Sequence, residues 1–330
     1  MKILVTGATG FVGNALSLRL KELGHEVLGT GRNLEAGQML QEQGIHFAAC
    51  DLRQPDAIAD LCQHRDMVFH CAALSAPWGK YTAFYQANVM GTLHVVQGCM
   101  EHNIKRLIHV STPSIYFDEQ DRMDVKEDDP LPPKPISLYA KTKLMAEGFV
   151  DQAHENGLNV ITIRPRAIFG PGDPSIFPRL LKRLEKGQLR IIGEGDNLVD
   201  LTYIDNVVDA LLLCMDSGDH TLGKKYNISS GQPVPLWDMI RLLCEKLGHA
   251  PPTQFVPYKK AMRLAGFLEW LYGTFFFGME PPITRFAATA LAKSQTLNID
   301  AARQDLGYEP KVSAKEGINR FVEWWKEQAK

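Results

Sequence analysis

The sequence predicts an α/β protein: a doubly wound parallel sheet with a smaller, interleaved α/β lobe. Three observations predict it. A short apolar run at the N-terminus passes through a glycine-rich turn into an amphipathic stretch. Strand-like runs then alternate with helical patterns, which calls for crossover connections and hence parallel strands. After Pro165 the segments become shorter and more irregular, as expected of a second lobe built from insertions.

In chain order, strand-like runs fall at residues 2–6, 26–30, 45–50, 67–71, 106–111 and 159–164. The long stretches 81–102 and 138–156 read as helices flanking the middle of the sheet. Gly170-Pro171-Gly172-Asp173-Pro174 is turn chemistry and marks the change of character. Residues 1–165 form the expected nucleotide-binding domain, to which 199–224 return with a helix over 205–215. Residues 166–198 and 225–330 mostly form the lobe.

The first turn carries the clearest chemistry. In Gly7-Ala8-Thr9-Gly10-Phe11-Val12-Gly13, Gly7 permits the tight turn, Gly10 lets the backbone approach a pyrophosphate, and Gly13 lets helix and strand pack closely. Free amides at a helix start face an anion, so Thr9, Phe11 and Val12 join the glycines as candidate contacts of a dinucleotide in a Rossmann-type domain. The second strand ends Leu28-Gly29-Thr30-Gly31-Arg32-Asn33, without the acid that would bind a free ribose 2′-hydroxyl. Arg32 therefore favours NADP(H), with NAD(H) as the alternative.

Composition narrows the function classes. The chain has 330 residues, 45% of them hydrophobic, enough for a large core. A net charge of -2 gives no basic field, so nucleic acid is not an expected partner. Six dispersed cysteines without CxxC spacing read as reduced core residues. The first strand begins at the N-terminus with no charged leader and apolar signal core, so a cytoplasmic protein is expected. Neither His64 and His70 nor His102 and His109 have ligand spacing, and no metal is expected.

Tyr139 and Lys143 lie four residues apart in Tyr139-Ala140-Lys141-Thr142-Lys143, on one face of a helix. Alone, such a pair describes many solvated helices. Combined with the glycine turn, the GxxGxxG and YxxxK elements resemble the short-chain dehydrogenase/reductase superfamily. The run from Asn298-Ile299-Asp300 through Leu306-Gly307-Tyr308-Glu309-Pro310 to Trp324-Trp325 resembles its extended branch, which includes the NAD-dependent epimerases and dehydratases. Within it, the chain is most similar to 3β-hydroxysteroid dehydrogenase-like and sterol 4-carboxylate dehydrogenase-like members, over essentially its whole length.

That resemblance implies roles. Tyr139 would protonate the forming alkoxide, and Lys143 would lower its pKa and bind the nicotinamide ribose. Thr112, in Val110-Ser111-Thr112-Pro113-Ser114-Ile115-Tyr116-Phe117, would hold the reacting oxygen, with Ser111 and Ser114 as rivals. Phe117 stands where the family has glycine. Asn88 would support the site or be structural. Asp51 and Leu52 would meet the adenine, and Cys71, Ala72, Ala73 and Pro165 would lie along the cofactor. Leu74, Ser75, Trp78 and Ser114 are candidate substrate contacts, although the Trp78 loop could equally be packed by its own tryptophan. Arg166 is either an anion anchor or part of a structural ion pair. The family also implies a homodimer through the helices at 81–102 and 138–156.

The apolar stretch 264–277 is too short, and carries Glu269, for a membrane span. Buried core is the default expectation; a lid over a lipidic substrate or a peripheral membrane contact are the others. The expected function is an NADP(H)-dependent oxidoreductase interconverting a hydrophobic ketone and a secondary alcohol, steroid-like or a 3-keto/β-hydroxy acid, by Tyr/Lys-assisted hydride transfer. The alternatives are a nucleotide-sugar epimerase or dehydratase using bound NAD, and a non-catalytic cofactor-sensing protein.

Overall fold

The computed structural model describes residues 1–276 and 278–328. Seven strands form the large sheet: β1 (Lys2–Thr6), β2 (Glu26–Gly31), β3 (His46–Ala49), β4 (Met67–His70), β5 (Arg106–Val110), β6 (Val160–Pro165) and β7 (Lys225–Ile228). Their order is β7-β6-β5-β4-β1-β2-β3, and every pair is parallel. Alternate residues of a strand face opposite sides. Ile3 and Val5 accordingly pack with Leu16 and Leu20 of helix α1 (Phe11–Glu22), whereas Leu4 packs with Val95 of another helix on the other face. A sheet covered on both faces explains why its strands read as continuous apolar runs rather than alternating ones.

Further helices flank it: α2 (Leu34–Glu42), α3 (Pro55–Cys62), α4 (Gly91–Glu101), α5 (Leu138–Glu155) and α6 (Ile204–Asp216). After β3 the chain crosses to β4 on the far side of β1, so connections run in opposite directions from these two strands. A crevice opens beyond the carboxyl ends of strands at such a reversal.

Segments on both sides of the expected division share sheets and core clusters. β7, expected in the lobe, extends the large sheet, with Lys225 opposite Thr162 and Ile228 opposite Pro165. Ile299, Ala302, Leu306 and Tyr308 also pack into the large domain's core. Conversely, Arg122–Val125 leaves that domain to pair with Gln295–Leu297 in a four-stranded sheet completed by Leu198–Val199 and Val234–Pro235. Strands of two to four residues are too short to show a period, and their partners are remote in sequence.

Two helical expectations change. The stretch 81–102 is broken: a turn at Tyr81–Phe84 passes into a π-helical segment, Tyr85–Met90, before α4. The described part of the stretch 264–277, residues 264–276, is not core. It lies in helix α7 (Tyr258–Phe275), which fully buries only Ala261 and Ala265, while Leu264, Phe267, Trp270, Phe275 and Phe276 are exposed. Ala261, with Tyr258 and Met262, packs against the neighbouring helix α8 (Arg285–Ala292), whereas Leu264, Phe267, Trp270 and Phe275 face out. Residue 277 lies outside the described residues. Among the described residues no helix is long and apolar enough to cross a membrane.

Candidate active site

A cleft of ≈ 500 Å³ opens at the β1/β4 reversal. Gly7, Thr9 and Gly10 line it from the first turn, Arg32 from the end of β2, Asp51, Leu52 and Arg53 from the end of β3, and Cys71 to Leu74 from the end of β4. Its floor admits only glycine. Gly7 has φ +70, and a Cβ there would sit 2.7 Å from the Ala72 backbone; one on Gly13 would sit 2.2 Å from the Gly7 carbonyl oxygen. This is the cradle a pyrophosphate needs, so the residues present fit a dinucleotide. Phe11 and Val12 are not among the lining residues, because their side chains pack against the lobe's core cluster of Phe169 and Phe177. Pro165, the last residue of β6, is buried and also lies outside the lining.

At the outer end, the Asp51 carboxylate accepts from Arg53 at Nε (2.9 Å) and Nη2 (2.6 Å). That hydrogen bonding holds the carboxyl below its usual range, and Arg32 adds a smaller push the same way. The cleft therefore ends in two guanidinium groups and one acid already engaged. Arg53 was not singled out in the sequence, where its one signal is its place two residues after Asp51 at a strand end.

Ser137 caps α5 by accepting from the Ala140 amide at 3.1 Å, which sets Tyr139 in the first turn, outside the residues that line the cleft. Tyr139 is half-buried as a residue, and desolvation of its phenol raises its pKa. Hydrogen bonding with the Thr112 and Ser75 side chains opposes the rise. Lys143, which the family resemblance implies would lower the phenol's pKa, is engaged elsewhere. Its ammonium donates to the Val110 carbonyl at 2.8 Å and lies 3.2 Å from His109 Nε2, so its charge is spent on the end of β5. Burial lowers Lys143 to about 8, against the pull of Glu147.

Of the three candidate hydroxyls, Thr112 is the one beside the phenol. It donates to Ser114 Oγ at 3.1 Å and accepts from the Ser114 amide at 3.2 Å. The Ser111 hydroxyl is buried without a partner among the described residues. Tyr116 is structural: it donates to Asn227 at 3.1 Å and accepts from Arg164, whose guanidinium pairs with Glu147 at 2.6 Å. This buried web ties the end of β5 to α5, β6 and β7.

Asn88 clamps the loop after β4. Its Oδ1 accepts from the Leu74 amide at 2.7 Å, and its Nδ2 donates to the Leu74 carbonyl at 3.2 Å and to Thr142 at 3.0 Å. The clamp fixes Leu74 and leaves Ser75 exposed next to the phenol. Trp78, half-buried, meets α7, where a Cβ on Gly273 would be 3.9 Å from its ring. Phe117, in place of glycine, supplies a ring over which the Arg166 guanidinium stacks at 4.2 Å. Arg166 is buried, donates to Gln295 at 2.7 Å and has no partner at Nε among the described residues. Burial pulls it down to about 10 against the charge of Asp200, and it forms no ion pair among the described residues. Behind the site, His70 and His109 face each other across β4 and β5 with ring centroids 5.3 Å apart. Their remoteness in sequence hid this pairing.

Comparison with known proteins agrees with this geometry. Residues 3–229 match the family model described as NAD dependent epimerase/dehydratase family. A 2-alkyl-3-oxoalkanoate reductase of Stenotrophomonas maltophilia is 38% identical, covering 97% of this chain and 98% of the relative. The mouse sterol-4-alpha-carboxylate 3-dehydrogenase, decarboxylating, is 31% identical over 98% of this chain and 90% of its own. The structure of a UDP-glucuronic acid 4-epimerase from Bacillus cereus in complex with NAD superposes with a TM-score of 0.79 at 26% identity, covering 100% of both chains. These likenesses establish that the chain belongs to the NAD-dependent epimerase/dehydratase family of extended short-chain dehydrogenases/reductases and is an NAD(P)-dependent oxidoreductase.

Proposed function

We propose that the protein is an NADP(H)-dependent reductase of hydrophobic 3-oxo acids, giving the corresponding 3-hydroxy acids. One pairing carries the reading: a cleft lined by Arg32 and Arg53 at one end and by Leu74 at the other, and a protonated Tyr139 hydrogen-bonded to Ser75, the residue that follows Leu74. Two guanidinium groups suit a 2′-phosphate, for which a fork of donors matches the anion. A phenol kept protonated by burial is ready to give its proton, the direction that reduction requires.

The substrate carbonyl oxygen is held by Thr112 and Tyr139, which donate hydrogen bonds to it. The nicotinamide, when bound, supplies the hydride. As charge develops on the oxygen, Tyr139 transfers its phenolic proton to it, and the Thr112 hydroxyl steadies the alkoxide meanwhile. Lys143, anchored on the Val110 carbonyl, offers its remaining proton to the ribose hydroxyls. Asn88 holds Leu74 and Ser75 against the reacting group.

Arg166 is assigned to the substrate carboxylate. The names of the bacterial reductase and the mouse dehydrogenase both place a carboxylate on the carbon next to the one that reacts. A buried guanidinium without an ion pair is costly to keep unless an anion visits it. Purified protein should oxidise NADPH when given a 2-alkyl-3-oxo acid and release the cofactor between turnovers. Retained NAD, with no net NADPH consumption on any 3-oxo acid, would replace this reading with nucleotide-sugar epimerisation. The dimer proposed for the chain uses α4 and α5.

A further inference from the structure

We infer that the outward face of α7 docks on an anionic lipid surface. At the helical repeat of about 100° per residue, Lys260, Arg263, Leu264, Phe267, Trp270 and Phe275 share one side of this helix. Leu264, Phe267, Trp270 and Phe275 are 53%, 55%, 58% and 63% exposed. The three aromatic rings form one continuous patch: centroids are 6.1 Å apart for Phe267 and Trp270, and 6.0 Å for Trp270 and Phe275. Contiguous exposed apolar surface on a folded protein marks an interaction site.

Charge selects the occupant. Lys259, Lys260 and Arg263 are exposed at the start of α7 and make no ion pair among the described residues. The helix's one acid, Glu269, is turned away and bonded to Arg285 at 2.7 Å. An apolar face flanked by cations, with its acid withdrawn, has the composition of a helix lying in a lipid interface, where aromatic rings enter the headgroup boundary and cations meet anionic headgroups. A second copy of the chain fits worse, because a two-fold contact through this face would bury Lys260 and Arg263 with no acid opposite. The far end of α7 abuts Trp78 through Gly273, so a docked helix would bring the mouth of the site close to the lipid. The inference does not rest on the reductase reading, since its test uses neither cofactor nor substrate.

The full chain is sedimented with vesicles of phosphatidylcholine alone and of phosphatidylcholine mixed with phosphatidylglycerol. It should partition onto the mixed vesicles, less as salt is raised. The Lys260→Glu/Arg263→Glu variant should lose at least about tenfold in partition, as expected for reversing two charges near an anionic surface. Phe267→Ser/Trp270→Ser should lose binding to both vesicles while keeping its melting temperature and oligomeric mass. Absence of wild-type binding to the mixed vesicles, or unchanged binding by either variant, would overturn the inference. So would a fall in oligomeric mass of Phe267→Ser/Trp270→Ser, which would assign the face to a second copy.

Discussion

The Lys143 ammonium lies 3.2 Å from Nε2 of His109, and both side chains are shut away from solvent. Burial, and after it the Lys143 charge, hold His109 well below the usual imidazole range, so His109 is neutral and accepts the lysine's proton in a hydrogen bond. Burial also lowers Lys143 to about 8. The sign follows: the free protein loses this positive charge as pH rises through about 8, more than two units before an ordinary lysine at about 10.4. If Lys143 binds the cofactor ribose as an ammonium, kcat/KM for NADPH should fall above pH about 8. Lys143→Arg, which stays charged throughout, should retain a fraction of the activity without that limb. A profile flat to pH 10, or the same limb in Lys143→Arg, would count against the assignment.

Tyr139 is the proposed proton donor, flanked by Thr112 and Ser75. Tyr139→Phe removes the proton and little volume. It should lower kcat by at least about a hundredfold, the low end of what a positioned acid contributes. NADPH affinity, measured by fluorescence titration, should change by less than about threefold, because the glycine cradle and the arginines are untouched. Full turnover by the variant would remove Tyr139 from the mechanism.

The nucleotide half was legible because its signals are local. Gly7, Gly10 and Gly13 announce their conformations through steric demands that a sequence displays directly, and the first six strands of the sheet are long enough to read. What stayed hidden depends on remote contacts. Lys225–Ile228 looks like any short polar-apolar run until it pairs with Val160–Pro165. Lys143 and Tyr139 share a helix face, yet Lys143 is drawn to Val110 by a contact no helical wheel contains. For α7 the apolar content was visible, but the face that Tyr258, Ala261 and Met262 turn toward α8 is set by contacts with Ala288 and Thr289, remote in sequence.

Arg32 and Arg53 both line the ribose end of the cleft, and Arg53 is partly neutralised by Asp51. Hydrogen bonds to charged groups are worth about 1.5–3 kcal/mol. Arg32→Ala should therefore weaken NADPH binding by roughly ten- to a hundredfold and leave NADH binding nearly unchanged, as read by parallel titrations. Arg53→Ala should cost less, because it also frees the Asp51 carboxylate to take a ribose hydroxyl, and should shift preference toward NADH. Equal losses for both cofactors would show that the arginines position the chain rather than select the phosphate.

Arg166 stacks on Phe117, donates to Gln295 and leaves its Nε unpaired. A purely structural arginine and a carboxylate anchor differ in what they do to substrates of different charge. Arg166→Gln keeps a hydrogen-bonding side chain while removing the cation. It should raise KM for a 2-alkyl-3-oxo acid by at least about tenfold, the value of one charge-assisted hydrogen bond, and leave KM for the matching methyl ester within about twofold. The ester lacks the anion, so wild type and variant should treat it alike. If acid and ester suffer equally, the cation serves the packing of Phe117 and Gln295, and the carboxylate must be recognised elsewhere.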